Sequence, residues 1–367
     1  MSSQIDIAII GGGSAGMSLA ANLADLAPHA EVRVFEPKTE EERDCHWSFW
    51  GSGRHVEALK PACKGTWKRW QLIDHEKKVV HESVAQNYIT LSASDYLKLC
   101  KANLSPTIQL VRNAVKKIDY KNNVAFLSAG DITYTAAHVF DSRPPEKKSG
   151  GMMQHFLGRE IRTKEPITES DTVTLMDFRV DQSRGLHFIY ALPFSDTHLL
   201  IESTMISQSK EPQQWYLETI DNWLNERGIS VESDIGYESG VIPMDNCQPQ
   251  DSRTSAIGAA SGTIRQSSGY SFNYIQQQTK QLAGRISRGC YEVPTPISAK
   301  LVFMDRLFNR VLIKHPELSV KLFMQMAGAL NGEQFARFMT GTASFSEWGR
   351  VILSMPKTPF LRHMWSV

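Results

Sequence analysis

Apolar positions change period along this chain, and the changes divide it into segments. An apolar strand starts at Ile5, breaks at a glycine turn over Gly11–Gly16, and leads into an Ala/Leu-rich helix; a second strand follows and ends at Glu36. Residues 43–55, rich in charge and Trp, read as irregular. Residues 88–100 predict a strand entering a helix, with Ser92 or Ser94 as N-cap. Short alternating runs over 107–134, with turns at 121–123 and 129–131, predict an antiparallel ribbon. Residues 137–141 read as an apolar strand.

The middle of the chain is β-rich. Residues 172–181, 187–193 and 198–206 read as strands, with a turn at 194–197 before the third. An amphipathic helix is predicted over 213–227, a returning apolar strand over 256–258, and a Gln-rich helix from about 270 to 288. Beyond it Leu301, Met304, Phe308, Val311 and Leu312 keep the i, i+3, i+4 spacing of a buried helical stripe.

The first of these segments carries chemistry. Gly11, Gly13 and Gly16 stand in the order G-x-G-x-x-G between a strand and a helix. Gly11 allows the tight turn, Gly13 lets backbone approach a pyrophosphate, and Gly16 lets the helix pack on the sheet. With Ser14 and Ala15 they place free N–H groups of a helix N-terminus at the phosphates. Glu36, at the end of the second strand, is placed to accept the ribose hydroxyls. The nucleotide unit opens the chain, a β-block follows, and apolar strand returns near residue 257. That interleaving predicts a two-lobed flavoprotein with FAD in place of NAD, and a substrate cavity under the middle sheet. The expected divisions are 1–80 for the first part of the FAD-binding domain, 81–145 for its helix and ribbon, and 146–250 for the β-sheet substrate domain. Residues 251–290 return to the FAD-binding domain, and 291–367 form a helical region.

Composition sets bounds on partners. The 367 residues are 41% hydrophobic and 22% charged with net charge +1, so no global bias favours nucleic acid. Five scattered cysteines without C-x-x-C spacing predict a reduced, cytoplasmic protein with neither disulfides nor zinc. The cofactor strand starts close to Met1, which predicts no signal peptide, and no run of 18 apolar residues occurs. From Lys300 onward nine Lys/Arg face four acids, among six methionines and many aromatics. Such a region suits an anionic membrane surface, and equally an ordinary helical subdomain with a solvated basic face.

Separated blocks then carry a resemblance: IIGGGSAG at 9–16, CHWSFW at 45–50, FDSR at 140–143, QHFLG at 154–158, MDFR at 176–179, YALPFS at 190–195, IEST at 201–204, ESGVIPM at 238–244, SSGYSF at 267–272 and DRLFNR at 305–310. In order across nearly the whole chain, they resemble bacterial FAD-dependent lycopene β-cyclases. The sequence departs at Ser142 and Pro144 (usually Gly), at Ser203 (often an acid or Tyr), and at Arg265–Gln266 (commonly His-Pro). Ala259 stands where flavin hydroxylases carry the Asp of G-D-A.

The resemblance implies a fold and a reaction. The fold is α/β, a Rossmann-like FAD-binding domain of the GR2 flavoprotein type, interleaved with a β-sheet substrate domain and followed by a helical C-terminal region. The activity is an isomerase of the intramolecular-lyase kind, cyclising the ψ-ends of lycopene or a related acyclic carotenoid without net redox change. It needs reduced FAD, with NAD(P)H as reductant and no metal, and a protein bound peripherally to the inner face of the cell membrane. Glu202 is the expected acid. It shares a strand face with Leu200 and Thr204, and desolvation among apolar neighbours should raise its pKa; by pattern alone it fits a solvent-facing position equally well. Val115 is expected to touch adenine, and Gly258, Gly262, Ser268, Gly269 and Tyr270 the isoalloxazine and ribityl chain. Trp47 and Phe49 are candidates to wall the flavin or polyene, while Arg143, His46, His155 and His187 read as structural. Rival readings are a flavin monooxygenase or halogenase, a prenyl reductase, and a non-catalytic flavin-binding carotenoid carrier.

Overall fold

The computed structural model describes residues 2–43, 45–122, 124–145, 150–245 and 248–364. Asn123, in the turn expected at 121–123, and Cys247 lie outside the described residues.

The first unit is built as its pattern predicts, from β1 (Ser2–Ile10), α1 (Ser14–Leu26) and β2 (Val32–Phe35), with β1 and β2 parallel. The Trp-rich segment is not irregular. It forms β3 (His46–Gly51) and α2 (Gly53–Leu59), because β3 pairs along its whole length with a distant strand. Next come β4 (Cys63–Trp67), β5 (Arg69–Ile73), β6 (Lys78–Glu82), β7 (Asn87–Ser92) and α3 (Ala93–Ala102). Ser92 is the N-cap of α3, its Oγ accepting the Asp95 N–H at 3.2 Å. Strands β8 (Ile108–Val111), β9 (Val115–Lys121), β10 (Val124–Ala129) and β11 (Ile132–Asp141) follow. Only β9 to β11 make the expected antiparallel ribbon; β8 lies parallel to β2 at the sheet edge.

The second unit holds β12 (Met153–Thr163), β13 (Thr172–Asp177), β14 (Leu186–Ser195), β15 (His198–Ser207), α4 (Gln213–Glu226) and β16 (Val231–Pro243). A short β17 (Ser255–Ala256) returns to pair with β11, and α5 (Phe272–Ile286) packs on α1. The tail is α6 (Ala299–Lys314), α7 (Ser319–Gly328), α8 (Gly332–Met339), α9 (Phe345–Ser354) and α10 (Lys357–His363).

The first sheet runs β8-β2-β1-β11-β10-β9 with β17 on β11, the second β16-β12-β15-β14-β13-β5-β6, and a small third sheet β3-β7-β4. This corrects the boundary expected at residue 80. Strands β5 and β6 belong to the second sheet, since β5 lies parallel to β13, and no local pattern announces a pairing across about a hundred residues. Both faces of β15 are covered. Leu199, Ile201 and Met205 pack with Tyr216, Ile220 and Trp223 of α4. Leu200 and Ile206 face the tail with Phe323 and Met326. A sheet buried on both sides tolerates a nearly unbroken apolar strand, each such side chain contributing about 1.5–3 kcal/mol. A Glu in that strand needs an explanation.

Candidate active site

Glu202 sits mid-strand on the tail-facing side of β15 and is only 8% exposed. With Trp47, Tyr88, Tyr190, Thr204 and Tyr270 it lines a cavity of about 190 Å³. Phe323, Met326 and Met339 also line a second, apolar cavity of about 440 Å³ between α6, α7, α9 and α10. The carboxyl therefore stands in a cavity that shares apolar walls with the one in the tail.

Its neighbour is a second carboxyl. Glu202 is opposite Gly158 of β12 on one side, and Glu238 of β16 is opposite the same glycine on the other. With no side chain at 158, the two acids lean together over the central strand. Burial, the Glu238 charge and the hydrogen bond between the two push the Glu202 carboxyl well above the ordinary range, and the Thr204 hydroxyl acts weakly against this. Two close carboxylates in an apolar site retain a proton between them. Glu238 also accepts the His46 backbone N–H at 3.0 Å and lies 3.1 Å from His46 Nδ1.

Three phenols complete the wall. Tyr88 Oη is 2.8 Å from Tyr190 Oη and 3.0 Å from Tyr270 Oη, and Tyr190 donates to Ser48 Oγ at 2.9 Å. Burial pushes all three far above the usual tyrosine range, so they stay neutral. With Trp50, whose ring is 4.7 Å from Tyr88 and 5.0 Å from Tyr270, they give an electron-rich lining suited to a cation.

The nucleotide residues gather at the β1–α1 turn. Gly11 has φ +91°, and a Cβ on Gly16 would fall 1.9 Å from the Gly11 carbonyl oxygen, so both positions require glycine. A Cβ on Gly13 would meet nothing within 4 Å, leaving the space a pyrophosphate needs. Ser14 Oγ at the start of α1 and Ser268 Oγ in the loop lining the cavity are buried polar atoms without a hydrogen-bond partner among the described residues. Ala15 and Gly258 touch, which brings the turn beside the 258–262 segment. Gly262 has open space around it, and Ser268, Gly269 and Tyr270 line the Glu202 cavity. Glu36 accepts the Gly12 N–H at 2.8 Å and pairs with Arg43 at 2.6 Å. Val115, at the start of β9, lines a separate cavity with Arg143 beside this turn. The open space at Gly13 and the unpartnered Ser14 hydroxyl beside it fit the diphosphate of an FAD.

Other candidates fall elsewhere. Trp47 lines the Glu202 cavity, whereas Phe49 is 2% exposed and stacks on Phe272 in the core. Arg143 is held by Asp141 through 3.0 and 2.6 Å contacts. His155 bonds Tyr216 and Ser207, and His187 bonds Ser203, all away from the cavity. His46, read as structural, stands against Glu238. Sequence reasoning did not single out Glu238, Gly158, Tyr88 or Tyr190. Three of these lie inside the quoted blocks, but nothing local brings the blocks together.

The model of the family described as lycopene cyclase protein matches residues 6–364. The chain belongs to the lycopene cyclase family. A relative named lycopene beta-cyclase, from Pantoea ananas, is 21% identical across 98% of this chain and 97% of its own. A geranylgeranyl bacteriochlorophyll reductase-like protein from Thermoplasma acidophilum superposes with a TM-score of 0.64 at 11% identity, covering both chains completely. A flavin-dependent brominase superposes with a TM-score of 0.60 at 12% identity, over 99% of this chain and 93% of that one. These likenesses establish a flavoprotein fold. Against the lycopene cyclase pattern, the departures have local reasons. Ser142 donates from Oγ to the carbonyls of Ile10 and Gly11 and so stitches the glycine turn to β11. Ser203 faces α4, not the cavity. Arg265 is paired with Asp305 of α6.

Proposed function

We propose that this protein is a lycopene β-cyclase in which Glu202 is the acid. The observation that carries the reading is a buried carboxyl, pushed well above the ordinary range by burial and by Glu238, in a cavity that shares walls with the apolar tail cavity and faces neutral phenols and the 267–270 loop. The Glu202 O–H protonates C2 of a terminal double bond and leaves a tertiary cation at C1. The C5–C6 double bond closes on C1, and loss of the C6 proton completes a β-ionone ring. Tyr88, Tyr190, Tyr270 and Trp50 face the cation, and the apolar walls exclude the water that would trap it. FAD would be held by Gly11 to Gly16, Glu36 and the 258–270 segment; when bound and reduced, with NAD(P)H as reductant, it supplies an anionic ring that favours the cation.

The same reading includes docking on the cytoplasmic membrane face. Phe303, Ile352 and Leu361 line the tail cavity and are also exposed, beside Phe345 at 85% and Leu353 at 75% exposure. Lys300, Arg350, Lys357 and Arg362 stand among them on the same helices. Apolar side chains ringed by basic ones suit an anionic bilayer from which a C40 hydrocarbon is drawn.

The test is anaerobic incubation of protein, FAD and NADPH with lycopene in anionic liposomes. A product of unchanged mass with ring-shifted absorption supports the reading, as does loss of that product in Glu202→Gln with flavin retained. Added oxygen, halogen or hydrogen in the product, or full activity in Glu202→Gln, overturns it.

A further inference from the structure

One line of buried groups is left unused by the chemistry above. From Glu202 it runs through Glu238 and His46 to Lys64, where Glu160 of β12 and His198 at the start of β15 gather. His46 Nε2 is 3.1 Å from Lys64 Nζ, and an ammonium only donates, so Nε2 is an acceptor. The proton of the neutral ring then sits on Nδ1, aimed at Glu238 Oε1. Glu238 thus receives the His46 backbone N–H, the Nδ1–H and the Glu202 O–H, which leaves the shared proton of the acid pair on Glu202. Lys64 is fixed by Glu160 at 2.8 and 3.0 Å, and Glu160 is fixed in turn by His198 Nε2 at 2.5 Å. Burial opposes ionisation of Glu160, but the hydrogen bonds from His198 and Lys64 outweigh it and hold that carboxyl down to about 2. The His46 side chain is 7% exposed and the Lys64 side chain 28%, so the line starts dry and ends at solvent.

We propose that Lys64, His46 and Glu238 are the proton supply line of Glu202, reloading the acid after each ring is closed. The proposal rests on Glu202 being the acid. Once the Glu202 proton has become a C–H bond on the polyene, two carboxylates face each other over Gly158. The Nδ1–H proton of His46 passes to Glu238 and on to Glu202, while Lys64 supplies Nε2 and regains its own proton from water. The first tautomer of His46 returns as Nδ1 takes up a proton from solvent and Nε2 gives one back to it, so the net uptake stays at one proton. The proton lost from C6 goes to solvent, so each ring takes up one proton and releases one. Glu160 and His198 are positioning residues that keep the ammonium of Lys64 against the imidazole.

The experiment compares the first turnover with later ones in the FAD-bound protein, using lycopene in anionic liposomes and the variants His46→Ala and Lys64→Met. Flavin absorbance and Tm establish that each variant is folded. The supply line predicts a burst: in each variant a preloaded Glu202 closes about one ring per enzyme, and later turnovers are about a hundredfold slower than that first one. Added imidazole restores the later turnovers of His46→Ala. Equal slowing of first and later turnovers, or indifference to imidazole, overturns the supply line. If His46→Ala loses its flavin, the burst in Lys64→Met decides alone. Failure of the underlying acid reading looks different, because wild type then forms no cyclic product or Glu202→Gln still does.

Discussion

Glu202 and Glu238 lie on strands that never pair with one another, and each is opposite Gly158 of the strand between them. Neighbouring strands are about 4.8 Å apart, so the two stems start roughly 10 Å from each other. Only the missing side chain at 158 lets the carboxyls meet. A Cβ there would stand 3.0 Å from the Cγ of each.

Gly158→Ala is therefore expected to spread the pair without unfolding the sheet. Displacing an acid from its reacting carbon by a fraction of an ångström to an ångström costs about 10- to 100-fold in rate. Cyclisation should fall in that range while Tm and flavin content stay near wild type. An unchanged rate would mean that the two carboxyls do not act together.

The glycine turn gives a contrast between two substitutions. Gly16→Ala drives a methyl into the Gly11 carbonyl and should lower Tm even without cofactor. Gly13→Ala meets nothing within 4 Å, so the flavin-free protein should keep its Tm. Its methyl occupies the space kept for the pyrophosphate, and FAD affinity measured by flavin fluorescence should drop about tenfold or more.

Activity and stability should respond differently to pH. Burial and Glu238 push the Glu202 carboxyl well above the ordinary range, so the cyclisation rate should persist at pH values where a free carboxylate has ionised, and fall as pH rises further and the acid ionises. His81, His155 and His187 are pushed down to about 4 from 6.5, first of all by burial. Between pH 6.5 and 4 the unfolded chain takes up protons at these positions that the folded chain does not. Their contribution to stability is whole above 6.5 and is lost as pH falls toward 4. Tm scans should show a decline of several degrees across that window, which His155→Gln and His187→Gln reduce.

Arg265 is 2% exposed, donating to both Asp305 oxygens at 2.7 and 2.8 Å and to the carbonyls of Phe338 and Met339 at 3.3 Å. It ties the loop before Tyr270 to α6 and α8. Arg265→Ala leaves Asp305 buried and unpaired, and should cost about 3–5 kcal/mol in denaturant unfolding. Replacing both partners by apolar residues of similar size, Arg265→Met with Asp305→Leu, should recover most of that loss.

The parts legible in the sequence are those whose physics is local. The strand, glycine turn, helix and second strand of the first unit are consecutive, and their apolar periods carry their own assignment. Ser92 caps α3 because a cap needs only the next three residues. Glu202 falls on the face of Leu200 and Thr204 because side chains alternate along any strand. What lay above that face was beyond reach, since the covering tail follows a hundred residues later. Strand β3 and the placement of β5 and β6 depend on partners far along the chain, and their own residues do not alternate clearly enough to reveal them. Glu238 comes 36 residues after Glu202 and 192 after His46. Periodicity fixed which way each of these side chains points along its own strand; only the order β16-β12-β15, with a glycine in the middle strand, decided that the two acids meet, and only the packing of a separate sheet brought His46 against the second of them. Sheet register is a long-range property, set by how whole faces bury together, and no single segment encodes it.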